Sequence, residues 1–268
     1  MKIQNKVLLV MAAIIVFGIG TQTCLAQTSA GKQYQQMSRA ERSAFVASEA
    51  RRIAKELSGR DYDFTPAFEE DIQQSVNSYT RRIGNPAKKD IRVVLEQGRA
   101  NAQVLMAPFR THNLSPLFGL YIPFVESEFI NIESSNQMGA IGMFQFIPQT
   151  GEKYGLSPAD LLDVAKSSDA AARYIADSLE TFKDDPMKEA LALLAYNRGG
   201  QRTQRDLKLL VNDQNKQCSI CALNADRGKL DETFRNESVF YVPRFFAAAI
   251  IGENPQAFGI PLPPLSSN

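Results

Sequence analysis

The chain has 268 residues, with 30 Lys and Arg against 29 Asp and Glu, so its formal net charge is only +1. This near-neutral balance argues against nucleic acid as the main partner. Apolar residues make up 44% of the chain, including 16 Phe and 8 Tyr. The length and the apolar content allow one large domain, or a core domain with a helical extension.

Residues 1–26 have the pattern of a secretory signal peptide. A positively charged start precedes an apolar run over 7–20, which is too short to span a bilayer comfortably. Small residues then occupy the positions that a signal peptidase recognises, the last of them Ala26. We predict cleavage after Ala26 and export to the periplasm. The alternative is an uncleaved anchor. Lipidation at Cys24 as an outer-membrane lipoprotein ranks last, because the three residues before it lack the small apolar pattern of a lipoprotein signal.

Residues 27–110 predict a helical N-terminal extension. A capping box begins at Ser38, and apolar residues then recur at helical spacing until Gly59. Thr65-Pro66 predicts the start of a second helix, and a third is expected over about 89–106. No pattern in these helices requires chemistry, so we expect them to pack on the segment that follows.

Residues 111–268 predict a second, mainly α domain that carries the function. Residues 117–129 are almost wholly apolar, which predicts a buried central helix. Further helices are expected from a cap at Ser168, from a cap at Asp185 and over about 241–251. Strand signals are few, so the predicted fold class is mainly α.

Glu126 is the most informative residue of the central helix. A carboxylic acid in apolar surroundings resists ionisation, so it can hold a proton near neutral pH and donate it. Cleavage of a glycosidic bond requires such a proton. The alternative is an ordinary acid on a helix surface. Glu128 lies two residues on, and a helix points it away from Glu126. The sequence therefore offers one carboxylate rather than a pair.

Four motifs in order carry a family resemblance. They are Glu126-Ser127, Gly142-Met143-Phe144-Gln145, Ala195-Tyr196-Asn197 and the segment Glu237-Ser238-Val239-Phe240-Tyr241-Val242-Pro243. Together they resemble the soluble lytic transglycosylase domain of glycoside hydrolase family 23, and most of all its membrane-bound lytic murein transglycosylase D-like branch. The resemblance covers about 115–259 and implies a lysozyme-like fold.

The resemblance also implies roles for these residues. Glu126 would be the catalytic acid and later the base, Ser127 would orient its carboxylate, and Tyr241 would position it. The substrate-binding residues would be Gly142, Met143, Phe144 and Gln145, which line the sugar cleft, and Tyr196 and Asn197, which hold the reacting sugar. The turn departs from the family, because Met143-Phe144 replaces the usual Leu-Met or Leu-Trp pair.

Several of these residues also have an ordinary structural interpretation. Ser127 could bond back to its own helix, and Gln145 could be a satisfied core amide. Asn197 could be a helix-end residue. Tyr241 could be a packing residue whose ring is buried and whose hydroxyl is only its polar end. The sequence leaves these alternatives open.

The implied function is a peptidoglycan lytic transglycosylase that cleaves the MurNAc-GlcNAc β-1,4 bond and forms 1,6-anhydro-MurNAc. Its partners would be peptidoglycan glycan strands, and it would need no cofactor. One alternative is a hydrolysing goose-type lysozyme. Another is a non-catalytic murein-binding scaffold that docks on a protein of an envelope machine. The sequence does not predict the oligomeric state.

Cys218 and Cys221 are the cysteines that remain if the signal peptide is removed. In an oxidising compartment they can form a local disulfide or a redox pair. A zinc site would need two more ligands, and His112 is the only histidine, so no metal site is predicted.

Overall fold

Helices make up most of residues 31–133 and 139–267, which are the part of the chain that the computed structural model describes. The eleven α-helices in this part are α1 (Arg39–Ser58), α2 (Pro66–Thr80), α3 (Ile91–Thr111), α4 (Pro116–Ser127), α5 (Pro148–Lys153), α6 (Val164–Thr181), α7 (Lys188–Arg198), α8 (Gly200–Leu210), α9 (Ser219–Ala225), α10 (Glu232–Asn236) and α11 (Tyr241–Glu253). The same residues contain no β-strand, and a single bridge pairs Ile141 with Phe146. The predicted fold class, mainly α, is confirmed.

The first two helices begin where the sequence predicts them. The Ser38 hydroxyl accepts the Glu41 amide in a capping box, and Gly59 ends α1 in the left-handed conformation with φ of +71°. Thr65 caps α2 through the Phe68 amide. Local capping chemistry therefore sets both starts, which is why the sequence alone located them.

The third helix is longer than predicted. It begins after Asp90, whose side chain accepts the Arg92 amide, and it continues to Thr111 through Pro108. A proline inside a helix removes one backbone hydrogen bond. Phe109, next to it, is completely buried, so apolar packing offsets that loss. The prediction stopped near residue 106 because local signals do not report such packing.

The central helix α4 packs against α3, α6 and α11. Nine of its twelve residues are buried, and Pro123 lies inside it without dividing it. At Gly119 an added Cβ would overlap the carbonyl oxygen of Leu105, so α3 and α4 approach as closely as backbones allow. The helix ends at Ser127, two residues earlier than predicted. Glu128 and Phe129 follow in left-handed conformations with φ of +53° and +61°.

Two predicted helix starts are wrong. α6 begins at Val164, where the Asp163 side chain accepts the amides of two following residues. The predicted cap Ser168 is instead buried inside the helix, and its hydroxyl donates to Leu105. Asp185 accepts the Met187 amide ahead of α7, which begins at Lys188 rather than directly after Asp185.

Lys32–Asn268 forms one compact unit. Within it, the N-terminal helices are tied to α7, because Arg60 and the Tyr62 hydroxyl both donate to the buried Glu189 carboxylate, at 3.0 and 2.5 Å. The predicted extension 27–110 ends one residue before the end of α3, and its status as a separate domain stays a prediction.

The predicted signal peptide, 1–26, lies outside the described residues. Among the residues that are described, none of the helices combines the length and the apolar character needed to cross a membrane. Cys218 and Cys221 are joined by a disulfide at the start of α9. Cys221 Sγ also accepts the Thr65 amide at 3.4 Å, so the disulfide contacts the start of α2.

Candidate active site

Glu126 lies one residue before the end of α4. The left-handed residues that follow turn the chain sharply, so the helix end is held close to the core. The neighbouring Glu128 carboxylate contacts Arg82 at 2.6 Å and Lys89 at 3.5 Å. Glu128 is therefore neutralised by two cations. It lies just beyond the end of α4 in a left-handed conformation, not on the helix as predicted.

The Glu126 carboxyl is partly exposed and has one hydrogen-bond donor, the Tyr241 hydroxyl, at 2.7 Å from Oε1. Burial raises its pKa from 4.5 to about 7, against the lowering effects of the Tyr241 hydrogen bond and the positive charge of Arg244. A group with this pKa is present in both protonation states near neutral pH. It can therefore donate a proton in one step and accept one in the next.

The glycine turn predicted to line the cleft has a tight, left-handed geometry. Gly142 has φ of +80° and Gln145 has φ of +52°. The Gly142 amide donates to Ile132 at 2.9 Å, and the Gln145 side-chain amide donates to the Gly142 carbonyl at 2.7 Å. Gln145 is partly exposed, so its amide oxygen remains available to a ligand while its nitrogen closes the turn.

Two side chains attach this turn to the helices. The Ser127 hydroxyl lies 2.7 Å from the Met143 carbonyl oxygen and 3.1 Å from that of Pro123. The Tyr196 hydroxyl donates to the Phe144 carbonyl at 2.9 Å. The Met143 and Phe144 side chains are buried, with 3% and 0% exposure. Any contact of these two residues with a sugar would therefore come from the backbone.

Asn197 is exposed at the end of α7, next to the fully buried side chain of Arg198. Arg198 forms ion pairs with Asp206 and, at 2.8 Å, with Asp231. Because a buried arginine is costly unless it is paired, this cluster fixes the end of α7, where Asn197 lies. The sequence does not indicate this cluster, since its acids lie 8 and 33 residues from Arg198 and no motif connects them.

The structure thus brings Glu126, Tyr241 and Tyr196 together. Burial raises the pKa of both tyrosines well above the usual range, and the negative charge of Glu126 adds to the effect. Both hydroxyls therefore stay protonated and act as donors. Gly142 and Gln145 are joined to the same region through Ser127 and Tyr196. The disulfide lies elsewhere, against Thr65 and Met187.

Replacing Tyr241 with phenylalanine should raise the pKa of Glu126 further, because the donor that stabilises the carboxylate is lost. Chemistry that needs protonated Glu126 falls off above this pKa. The alkaline limb of a pH–rate profile should therefore move to higher pH, with about a 10-fold loss at the optimum. The measurement is the rate at which the glycan substrate expected from the sequence is cleaved between pH 4 and pH 10.

Tyr154→Phe is the matched control, since the Tyr154 hydroxyl donates to the exposed carboxylate of Asp177. This variant should keep the wild-type profile. An unchanged alkaline limb in Tyr241→Phe would mean that the hydrogen bond to Glu126 does not set its titration.

A bundle of helices surrounds a buried central helix, and a carboxyl that can hold a proton near neutral pH lies at the end of that helix, as expected for a lysozyme-like domain. Residues 108–218 match the family model described as the transglycosylase SLT domain. This segment, about two fifths of the chain, is therefore similar to the transglycosylase SLT domain. The match includes Glu126, the glycine turn and Asn197, whereas Tyr241 lies outside it.

Relatives are found in Escherichia coli. The chain is 28% identical over 156 residues to membrane-bound lytic murein transglycosylase D of strain K12, and equally to that of strain O6:H1. The aligned part is 55% of this chain and 30% of each relative. The chain thus spans about a third of the length of the curated relatives it matches.

Proposed function

We propose that this chain is a peptidoglycan lytic transglycosylase that cleaves the MurNAc-GlcNAc β-1,4 bond and leaves a 1,6-anhydro-MurNAc end. The observation that carries the proposal is the Glu126 carboxyl, with a pKa of about 7 and a tyrosine donor, inside an SLT segment. The E. coli relatives are named lytic murein transglycosylases, which supports the same substrate and reaction.

In the first step protonated Glu126 gives its proton to the glycosidic oxygen, and the bond from that oxygen to C1 of MurNAc breaks. The acetamido group of the same sugar assists at C1. In the second step the Glu126 carboxylate takes the proton of the C6 hydroxyl, and O6 bonds to C1. The acid is restored and no water is consumed. Gln145, Tyr196 and Asn197 would hold the sugar in place.

A single carboxylate favours this route over hydrolysis. Glycosidases that hydrolyse their substrate usually employ two carboxyl groups. Burial, Tyr241 and Arg244 set the pKa of Glu126, and its hydrogen-bond donor is a tyrosine rather than a second carboxyl. Glu128 is occupied by Arg82 and Lys89. The hydrolysing goose-type lysozyme and the non-catalytic scaffold are therefore less well supported.

The test is the mass of the fragments released from purified murein. We expect anhydro ends, which are lighter than hydrolysed ends by one water, about 18 Da. Reducing ends from the first time point onward would assign hydrolysis instead. The absence of any fragment at every pH would support the scaffold.

We further propose that the protein acts in the cell envelope, after export from the cytoplasm. The support is the predicted signal peptide 1–26 and the membrane-bound description of the relatives. Sequencing of the N-terminus after fractionation of expressing cells should give a chain that begins at residue 27 in the periplasm. A chain that begins at Met1 in the cytoplasm would contradict export.

A further inference from the structure

A pocket of about 620 Å³ lies between α2 and α11. Its walls include Asp71, Tyr79, Arg81, Asn197, Phe240 and Arg244. Its volume is within the range of small-molecule sites, about 300–1,000 Å³. One of its walls is Asn197, at the end of α7 next to Tyr196. Both α2 and α11 lie outside the matched segment 108–218, so these walls are features of this chain rather than of the family match.

Arg244 is the residue that gives this pocket a chemical preference. It follows Tyr241 by three residues on α11, so both side chains leave the same face of that helix. Tyr241, one turn earlier on that face, donates to the Glu126 carboxylate at 2.7 Å, and the positive charge of Arg244 lowers the pKa of Glu126. The Arg244 Nε is buried and has no hydrogen-bond partner. The described residues include every Asp and Glu of the chain, and none of them forms an ion pair with Arg244.

The other charges of the pocket leave Arg244 available to a ligand. The Asp71 carboxylate is engaged by Arg227 at 3.6 Å and by Asn224 at 3.5 Å. Arg81 is exposed at the pocket and adds a second positive charge, and the exposed Glu237 adds a negative one. A partly buried guanidinium without a partner is costly, and its planar donors match a carboxylate.

An aromatic ring lies in the same pocket. Phe240 is 43% exposed, which is unusual for a large apolar side chain in this protein. An exposed ring beside hydrogen-bonding groups suits the apolar face of a sugar or a methyl group. The pocket therefore combines an apolar surface with an unpaired cation.

We propose that this pocket recognises a carboxylate of the peptidoglycan strand, and that Arg244 is the residue that binds it. The inference rests on the proposed function and names the part of the substrate that the site selects. Two carboxylates have the required chemistry, that of the muramic lactyl group and those of the stem peptide. A bound anion also offsets the positive charge of Arg244, which otherwise lowers the pKa of Glu126. Substrate binding therefore favours the protonated acid that the first step uses.

The test is strand binding to Glu126→Gln, which retains its ligand uncleaved, with and without Arg244→Gln. The ligands are soluble murein strands with stem peptides, the same strands after an amidase has removed the peptides, and neutral chitotetraose. We expect Arg244→Gln to weaken binding of the anionic strands by about 10-fold or more and to leave chitotetraose unchanged. Arg244→Lys should recover part of the loss, and Arg39→Gln, an exposed arginine on α1, should bind like the parent.

Comparison of the three ligands identifies which carboxylate Arg244 binds. A loss that persists on peptide-free strands assigns the lactyl group, and a loss confined to peptide-bearing strands assigns the stem peptide. Equal losses on anionic and neutral ligands, or no loss on any of them, would overturn the inference. Salt should weaken binding of the strands and not of chitotetraose, which tests the charge without a substitution at Arg244. The proposed function fails separately, if the wild-type protein releases no anhydro ends.

Discussion

Glu126→Gln should abolish murein cleavage, with a loss of at least about 10²–10⁴-fold in rate. Glutamine keeps the size of the side chain and can still accept the Tyr241 hydrogen bond, but it has no proton to give to the leaving oxygen. The measurement is the release of anhydro ends under single-turnover conditions. Glu128→Gln is the matched control, because it makes the same chemical change two residues along on a carboxylate held by Arg82 and Lys89.

Glu126→Gln should also be more stable than the wild type at alkaline pH. Such a gain would show that its inactivity is not a folding defect. The pKa of Glu126 is raised in the folded state from 4.5 to about 7. The folded protein therefore loses stability as pH rises from 4.5 through 7, and glutamine avoids this loss. The gain should reach up to about 3 kcal/mol above pH 8 and vanish below pH 4.

Urea unfolding at pH 4, pH 6 and pH 8 measures this gain. A constant difference at all three pH values would contradict the raised pKa. Retained cleavage by a folded Glu126→Gln protein would remove Glu126 from the reaction altogether. Comparable losses in Glu126→Gln and Glu128→Gln would point to a general effect on α4.

The sequence predicted those parts of the fold that local chemistry determines. The cap at Ser38, the stop at Gly59 and the Thr65-Pro66 start each depend on residues within one turn, and each is confirmed. The start of α6 at Val164 is also set by a local cap, Asp163, but it was missed because Ser168 is equally typical of a cap. Its hydroxyl instead bonds Leu105, 63 residues away. Contacts at that separation leave no local signal.

The candidate site likewise combines residues that local patterns predict with contacts that only the tertiary fold creates. Glu126 was selected from its apolar neighbours, and its pairing with Tyr241, 115 residues on, came from the family motif rather than from spacing. The α2 helix was predicted to have a packing role only. Its contribution to the pocket beside Arg244 depends on the tertiary approach of α2 to α11. The position of Arg244 one turn after Tyr241 was the sequence signal that could have suggested it.

Gly142→Ala should be strongly destabilising and should also abolish activity. Gly142 has φ of +80°, which costs a residue with a Cβ about 1–2 kcal/mol. The added Cβ would also overlap the carbonyl oxygen of Leu161, and because this neighbour is backbone it cannot rotate away. Overpacking of this kind adds about 1–3 kcal/mol. We expect a total loss of about 2–5 kcal/mol, which is a large part of the stability of a typical domain.

Gly155→Ala separates the two contributions, because Gly155 has the same φ of +80° and no atom within 4 Å of an added Cβ. It should lose only the conformational part, about 1–2 kcal/mol, and keep its activity. Thermal and urea unfolding of both variants measure the difference. Equal losses would show that the contact with Leu161 is relieved at no cost. The activity of Gly142→Ala, measured where the variant is still folded, then reports the turn itself, since the Gln145 side chain is held by the Gly142 carbonyl.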